Sequence, residues 1–299
     1  MRKFLKFVLV FGVICVVAGG VILALAIKGH AFDKEALVSS TVNIEGSFDK
    51  MNISLDTSDL EFKVATDGVN KIEYIDRPKV SHETKVSDGT LVVTTKDERK
   101  WYEKWFSFDF DFRNATAIIY LNETEYKSLT VLDHTGDVKV SDVFSFDTLS
   151  IEANTGSIEV EALVNSSINL KASTGSVALK KQNVSGDVKV ESQTGSVRIE
   201  TLRCNNLTAT VSTGDIKLID VVTVAKINAK TSTGDIKLEN VDAESLTLKA
   251  STGSIRGNIL TGKTFNAHSS TGHVSVPSTT GGACEANTST GSIYLTVGK

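Results

Sequence analysis

The chain has 299 residues, of which 40% are hydrophobic and 23% are charged, and its formal net charge is −4. A chain of this length and composition can bury a sizeable core, which argues against a disordered protein. The slightly acidic balance gives no reason to expect nucleic acid as a partner.

The first 32 residues predict a membrane anchor. Cations at positions 2, 3 and 6 precede an uncharged run at residues 7–27, which is long enough to cross a bilayer as a helix. Because the cations come first, we expect a single-pass protein with a cytoplasmic N-terminus and an extracytoplasmic remainder. The alternative is a cleaved signal peptide, since Ala24-Leu25-Ala26 has the form of a cleavage site. The length of the run favours an uncleaved anchor.

Residues 33–130 predict a β-rich region that caps the N-terminal end of the fold. Runs such as Val42-Asn43-Ile44 and Leu91-Val92-Val93 have the composition of strands, and Asp88-Gly89 predicts a turn. The stretch 57–62 is similar to a degenerate copy of the repeat that follows. We therefore expect this region to be continuous with residues 131–299.

An aromatic block at residues 101–112 contains both tryptophans of the chain. Its phenylalanines at positions 106, 108, 110 and 112 alternate with polar residues, so we expect them to line one face of a strand and plug the open end of the fold. Trp101, Tyr102 and Trp105 fall outside this alternation. They are candidates for an exposed rim that suits a glycan, a lipid surface or a protein partner.

A repeated Thr-Gly turn dominates residues 131–299. Apolar residues recur two and four positions after the glycine and seven positions before it, with polar residues in the alternate places and Gly257 as an exception. The glycines follow one another at intervals of 19 or 20 residues. They are Gly136, Gly156, Gly175, Gly195, Gly214, Gly234, Gly253, Gly272 and Gly291.

This pattern predicts an all-β fold, a single-stranded β-solenoid (β-helix) of about nine coils. One coil cannot cover its own apolar rows, so coils must stack about 4.8 Å apart and pair their backbone groups. Glycine would supply a bend at positive φ. The Asp or Ser after it, as at Asp137, Asp215 and Asp235, would cap the turn. Calcium-binding β-rolls repeat every nine residues, so this period does not fit them.

Four consecutive coils carry a cation three positions after the glycine: Arg198, Lys217, Lys237 and Arg256. We call them the cation row. Outward cations about 5 Å apart suit an anionic envelope polymer or lipid headgroups. Acidic residues at positions 200, 215, 235 and 239 flank the row. The sequence is therefore also consistent with a solvated ladder whose charges compensate one another.

The residue types of catalytic and metal sites are not arranged in this sequence as such chemistry needs. The five histidines have no His-Glu-x-x-His spacing, and no cysteine pair has zinc-ligand spacing. Carboxylates outside the repeat register do not cluster as the acid and base of a glycosidase would. We expect no catalytic residues, no metal and no cofactor, and hence a protein that is not an enzyme. Cys15, Cys204 and Cys284 form no disulfide framework.

The chain resembles a bacterial family of membrane-anchored β-strand-repeat proteins known as "putative adhesins", a family with a domain of unknown function. The resemblance rests on the Ser-Thr-Gly-Asp-Ile-Lys-Leu units at 212–218 and 232–238, on residues 86–91, and on Ile118-Ile119-Tyr120-Leu121. It covers roughly residues 40–299, and Asn122 stands where relatives often have proline. The resemblance implies an exported β-solenoid behind a single transmembrane helix, sometimes linked to cell-envelope stress.

We therefore expect a non-enzymatic surface scaffold or interaction module. The alternative is a binder of anionic envelope polymer or carbohydrate, through the cation row or the aromatic rim. The coil at residues 292–297 is as apolar as an internal one. It is therefore expected to expose an unpaired edge and to pair with another copy or a partner strand. The alternative is that Thr296, Lys299 and the terminal carboxylate discourage such stacking.

Overall fold

The computed structural model describes residues 11–12, 15–17, 19–21, 37–76, 80–97 and 115–298. The described residues before position 22 are helical. No helix in the described part of the chain is long and apolar enough to cross a bilayer. The rest of the predicted anchor lies outside the described residues. So does the aromatic block, with Trp101, Tyr102 and Trp105.

Residues 37–121 contribute seven strands to a single all-β sheet. They are β1 (Val38–Asn43), β2 (Lys50–Leu55), β3 (Ser58–Val64), β4 (Lys71–Asp76), β5 (Val80–Ser87), β6 (Thr90–Asp97) and β7 (Ala115–Leu121).

Residues 125–297 continue the same sheet. The strands are β8 (Glu125–Thr135), β9 (Val138–Val140), β10 (Ser145–Thr155), β11 (Ile158–Val160), β12 (Leu163–Thr174), β13 (Val177–Asn183), β14 (Val188–Thr194), β15 (Val197–Thr213), β16 (Ile216–Thr233), β17 (Ile236–Val241), β18 (Ser245–Thr252), β19 (Ile255–Ile259), β20 (Lys263–Thr271), β21 (Val274–Ser275), β22 (Gly282–Thr290) and β23 (Ile293–Val297).

The predicted solenoid is confirmed, with strands that pair in parallel from coil to coil. Val197 lies opposite Ile216, and Ile216 lies opposite Ile236. The apolar columns that follow from the repeat point inward and are almost completely buried, from Val138 to Ile293, except in the coil of β20 and β21, where they are half-buried. The fold makes about eight turns, where about nine coils were expected.

The coils that follow Gly175, Gly195, Gly214 and Gly234 have three sides. A second bend lies six residues after the turn glycine, where Lys181, Thr201, Asp220 and Asn240 have φ between 52° and 56°. After it come further inward residues, such as Leu202 in β15. These bends have no glycine and no fixed residue type, so their period is hidden in the sequence.

The order of the coils in space differs from their order in the chain at the C-terminal end. Strand β22 lies between β18 and β20, and β23 lies between β19 and β21. The last coil is therefore tucked inside the stack, and the coil of β20 and β21 lies outside it. The prediction of an exposed edge is wrong for Ile293 and Tyr294, which pair with β19 on one side and β21 on the other. Residues 295–297 pair with β19 alone, although Leu295 is buried.

The N-terminal end is built in the same way. Strand β2 lies between β6 and β8, and β3 lies between β7 and β9, so the first coil is also tucked inside. Ser58 occupies the place of a turn glycine beneath Gly136, which confirms that residues 57–62 are a degenerate repeat. Outside this coil, β5 pairs antiparallel with β6, β4 with β7, and β1 with β4.

Candidate functional site

The interior of the solenoid is filled with side chains, which leaves the outward rows and the two ends for any contact with a partner. In one coil, Val197, Ile199, Leu202, Leu207 and Ala209 are all 0% exposed. Columns of this kind repeat from coil to coil and form one continuous core. A ligand that binds along the solenoid must therefore bind to its outer surface.

The Asp and Ser side chains that follow the turn glycines cap the neighbouring coil. The Asp235 backbone N–H donates to Oδ1 of Asp215 at 2.8 Å, and the Ser254 N–H donates to Oδ1 of Asp235 at 2.8 Å. The same bond links Ser157 to Asp137 and His273 to Ser292. These oxygens accept hydrogen bonds within the stack, which confirms the predicted turn capping.

The four residues of the cation row lie in register in consecutive coils. Arg198 lies opposite Lys217, Lys217 opposite Lys237, and Lys237 opposite Arg256. Tyr294 extends the row by one coil, because the tucked coil stacks directly on Arg256. The Arg256 guanidinium lies 6.0 Å from the centre of the Tyr294 ring, within the range of a cation–π contact.

Only part of the cation row is neutralised by carboxylates. Arg198 pairs with Glu200, and Lys237 pairs with Asp215 at 2.6 Å and with Asp235 at 3.7 Å. The hydrogen bond with Lys237 lowers the pKa of Asp215, and the same bond raises the pKa of Lys237. This contact is largely exposed to solvent, so its net contribution to stability is small.

The other two cations have no such partner. No carboxylate pairs with Lys217 or Arg256 in the part of the chain that the structure describes. Arg256 donates to the hydroxyl of Ser254 at 3.2 Å. These two side chains lie two coils apart, with the neutralised Lys237 between them. They are the members of the row that could still attract an anion.

A row of small polar side chains three residues before the turn glycine was missed by sequence reasoning. The hydroxyl of Ser192 donates to the carbonyl of Gly175, Thr231 to Gly214, and Thr288 to Gly253, at 2.8–3.0 Å. We call this the hydroxyl row. In other coils the same position is alanine or valine, so the repeat pattern does not reveal the hydroxyl row.

A groove of about 610 Å³ lies at the N-terminal end, between loops that connect the first strands. Its lining includes Asp49, Asn70, Asp88, Glu123 and Lys127. Lys127 pairs with Asp49, and the Asn122 N–H donates to the side chain of Asn70. Sequence reasoning missed this groove because the loops that form it are far apart in the chain.

Comparison with known families identifies the fold group. Residues 48–221 and 179–299 match the family described as Toastrack DUF4097. The two matches overlap and together span most of the chain. The chain belongs to the Toastrack DUF4097 family. No curated protein sequence matches this family member.

Several solved structures are similar to this Toastrack chain. A "putative adhesin" from Parabacteroides merdae ATCC 43184 is 16% identical, with a TM-score of 0.48 over 87% of this chain and 96% of that one. A "putative adhesin" from Parabacteroides distasonis ATCC 8503 is 13% identical, with a TM-score of 0.48 over 88% and 98%. A "putative lipid binding protein" from the latter organism is 16% identical, with a TM-score of 0.44 over 87% and 97%.

Proposed function

We propose that this Toastrack chain is a non-enzymatic scaffold or interaction module on the outer side of the cell membrane, held there by residues 1–32. The observation that carries the proposal is the filled interior, which leaves only outward rows and ends to meet a partner. Continuous backbone ladders keep those rows at a fixed spacing, as a scaffold requires. The location rests on the cations that precede the apolar run at residues 7–27.

Photo-cross-linking in intact cells tests this proposal. A photoreactive amino acid is placed at one outward position on each side of the coil, namely the exposed Arg203 and the half-buried Lys217 and Lys249. We expect at least one side to capture an envelope component and the other sides to capture less. Capture of cytoplasmic proteins would contradict the location. An absence of capture from all three sides would contradict an interaction module.

A second candidate function is binding of an anionic envelope polymer. It is favoured by the alignment of Lys217 and Arg256, which pair with no carboxylate within the described ranges. Binding of this kind depends on charge, so it should weaken steeply with ionic strength. Polyphosphate is a suitable probe, because it presents a regular row of anions and carries no sugar.

The matched comparison uses two double variants with the same change in net charge. Lys217→Gln with Arg256→Gln removes the two cations of the row that pair with no carboxylate among the described residues. Lys171→Gln with Lys249→Gln removes two cations that pair with Glu152 and Glu285 on another side of the coil. We expect several-fold weaker polyphosphate binding for the first variant and little change for the second. Equal losses would show a response to net charge and would reject the row as a site.

A further inference from the structure

The outermost coil at the C-terminal end is the one formed by β20 and β21. In the described part of the chain, β20 pairs only with β22, and β21 pairs only with β23. The inward side chains of this coil, Phe265, Ala267 and Val274, are half-buried. Their neighbours in the tucked coil, Cys284, Ala286 and Ile293, are at most 1% exposed. The stack therefore ends on an incompletely covered apolar row.

This edge also lacks the charges that usually protect an edge strand. Residues 264–284 contain no Asp, Glu, Lys or Arg. Lys263, at the start of β20, is buried, and its Nζ lies 2.7 Å from Oδ1 of Asp242. Natural edge strands usually carry exposed charges or prolines that discourage pairing with another chain. Strand β20 has nine residues with neither feature.

The N-terminal edges are different. Strand β5 carries Glu83 and Lys85, which lie 3.4 Å apart and are exposed. These charges guard that edge against pairing. Strand β1 has no charged residue, but it is exposed along most of its length, so no half-buried apolar row lies behind it. The two ends of the solenoid are therefore not complementary to each other.

We propose that two copies of this chain pair end to end through the coil at residues 263–276. A two-fold axis perpendicular both to the stack and to β20 would bring β20 against β20 of the second copy, and this operation makes the two strands antiparallel. The pairing would satisfy the free backbone groups of both edges and would bring the two half-buried rows together. Because the same surface is used twice, the assembly closes as a dimer.

The size of this surface sets the strength of the dimer. A side of six or seven residues spans roughly 20 Å, so the end face of the solenoid is small. The contact belongs among the smaller protein interfaces, which form weak or transient complexes. Dimer formation should therefore depend strongly on concentration. This proposal is independent of what the outward rows bind.

Light scattering on the full-length chain in detergent solution, over a range of concentrations, tests the proposal. The edge variant Asn266→Lys with His268→Lys places two cations on exposed positions of β20. Its matched control is Asn287→Lys with Ser289→Lys, which adds the same charge to the tucked coil. We expect a concentration-dependent dimer in the wild type and the control, and at least a tenfold weaker dimer in the edge variant.

Cysteine cross-linking gives an independent measurement if a lysine variant fails to fold. In a Cys15→Ser chain, His268→Cys should form a disulfide-linked dimer under mild oxidation, whereas Asn287→Cys, its neighbour in register, should not. A wild type that stays monomeric and gives no cross-link would overturn the proposal. So would a dimer that the edge lysines do not weaken, or open-ended oligomers that they abolish.

Discussion

Asp133 occupies a position in the hydroxyl row where other coils have Ala, Ser, Thr or Val. It lies opposite Ala153 and is 0% exposed. Its Oδ1 accepts the Thr135 N–H at 3.1 Å, and its Oδ2 has no hydrogen-bond partner in the described part of the chain. Burial raises the pKa of this carboxyl to about 7, with a smaller contribution from the charge of Asp59. Asp133 is therefore a neutral acid below that pH.

The raised pKa of Asp133 predicts how stability changes with pH. The folded state holds a proton that the unfolded state, with a pKa of 3.8, has already released. The free energy of unfolding should therefore fall as the pH rises from about 4 to about 7, and then stay level, with a total change of a few kcal/mol. Asp133→Asn should lose this dependence, as measured by thermal melting at acidic and alkaline pH. The same pH dependence in both proteins would contradict the assignment.

Gly214 shows why the turn needs glycine for two separate reasons. Its φ is 140°, a region that other residues rarely adopt. A Cβ at this position would also collide with the carbonyl oxygen of Gly195 in the neighbouring coil. The positive φ can be predicted from the sequence, because glycine recurs at every turn and adopts a positive φ without strain. The collision cannot be predicted from the sequence, because it depends on how closely the turns of consecutive coils stack.

Gly214→Ala should therefore lower the free energy of unfolding by at least about 2 kcal/mol. Lys217→Ala removes an outward side chain from the same coil and should cost less than about 0.5 kcal/mol. Denaturant melts of the two variants give the comparison. Equal midpoints would mean that the turn tolerates a side chain and that the stacking of the glycines is looser than described.

At the scale of elements, the sequence predicts the strands and inward residues of each coil, but not the position of the coil in the stack. The period of 19 or 20 residues and the inward columns identify the strands from β8 to β23. Every coil presents the same apolar rows. Strand β22 and strand β20 would therefore pack equally well beside β18. The pattern therefore cannot distinguish the chain order from the tucked order. The uncharged stretch at residues 264–284 is a clue to the order of the coils, but it can be interpreted only once β20 is known to be an edge strand.

The tucked order predicts an unusual pattern of hydrogen exchange. Amides of β22, and of Ile293 and Tyr294 in β23, lie between paired strands, so they should exchange as slowly as those of β18 and β19. Amides of β20 and β21 should exchange faster, although these strands come earlier in the chain. Exchange followed by mass spectrometry of peptides resolves the four regions. If the protection of backbone amides from exchange falls steadily along the chain toward residue 298, the tucked order is wrong.

At the scale of the whole molecule, both ends are closed by the same device. The first coil lies beneath the coil of β6 and β7, and the last coil lies beneath the coil of β20 and β21. The chain crosses over the last coil between β19 and β20. At this crossing the buried Lys263 donates to Thr261 at 2.7 Å and pairs with Asp242. A terminal coil that is held on both sides cannot fray by itself, because its neighbour must open first.

Two buried thiols can report this order of opening. Cys284 is in the tucked coil, one step from the C-terminal edge, and Cys204 lies three coils further inward. They are 1% and 4% exposed, and burial raises the pKa of both thiols to about 12. Neither thiol should react with an alkylating reagent in the native state, because the reactive thiolate is scarce and inaccessible.

Opening should begin at the ends, because each coil of a solenoid is stabilised only by its neighbours. In a Cys15→Ser chain at increasing denaturant, Cys284 should become alkylated before Cys204, and only after the amides of β20 have lost their protection. Pulsed alkylation with mass spectrometry measures both thiols in one sample. If Cys284 reacts while β20 is still protected, the last coil is not held beneath it. If Cys204 reacts first, the solenoid opens from its centre and the nearest-neighbour account of its stability fails.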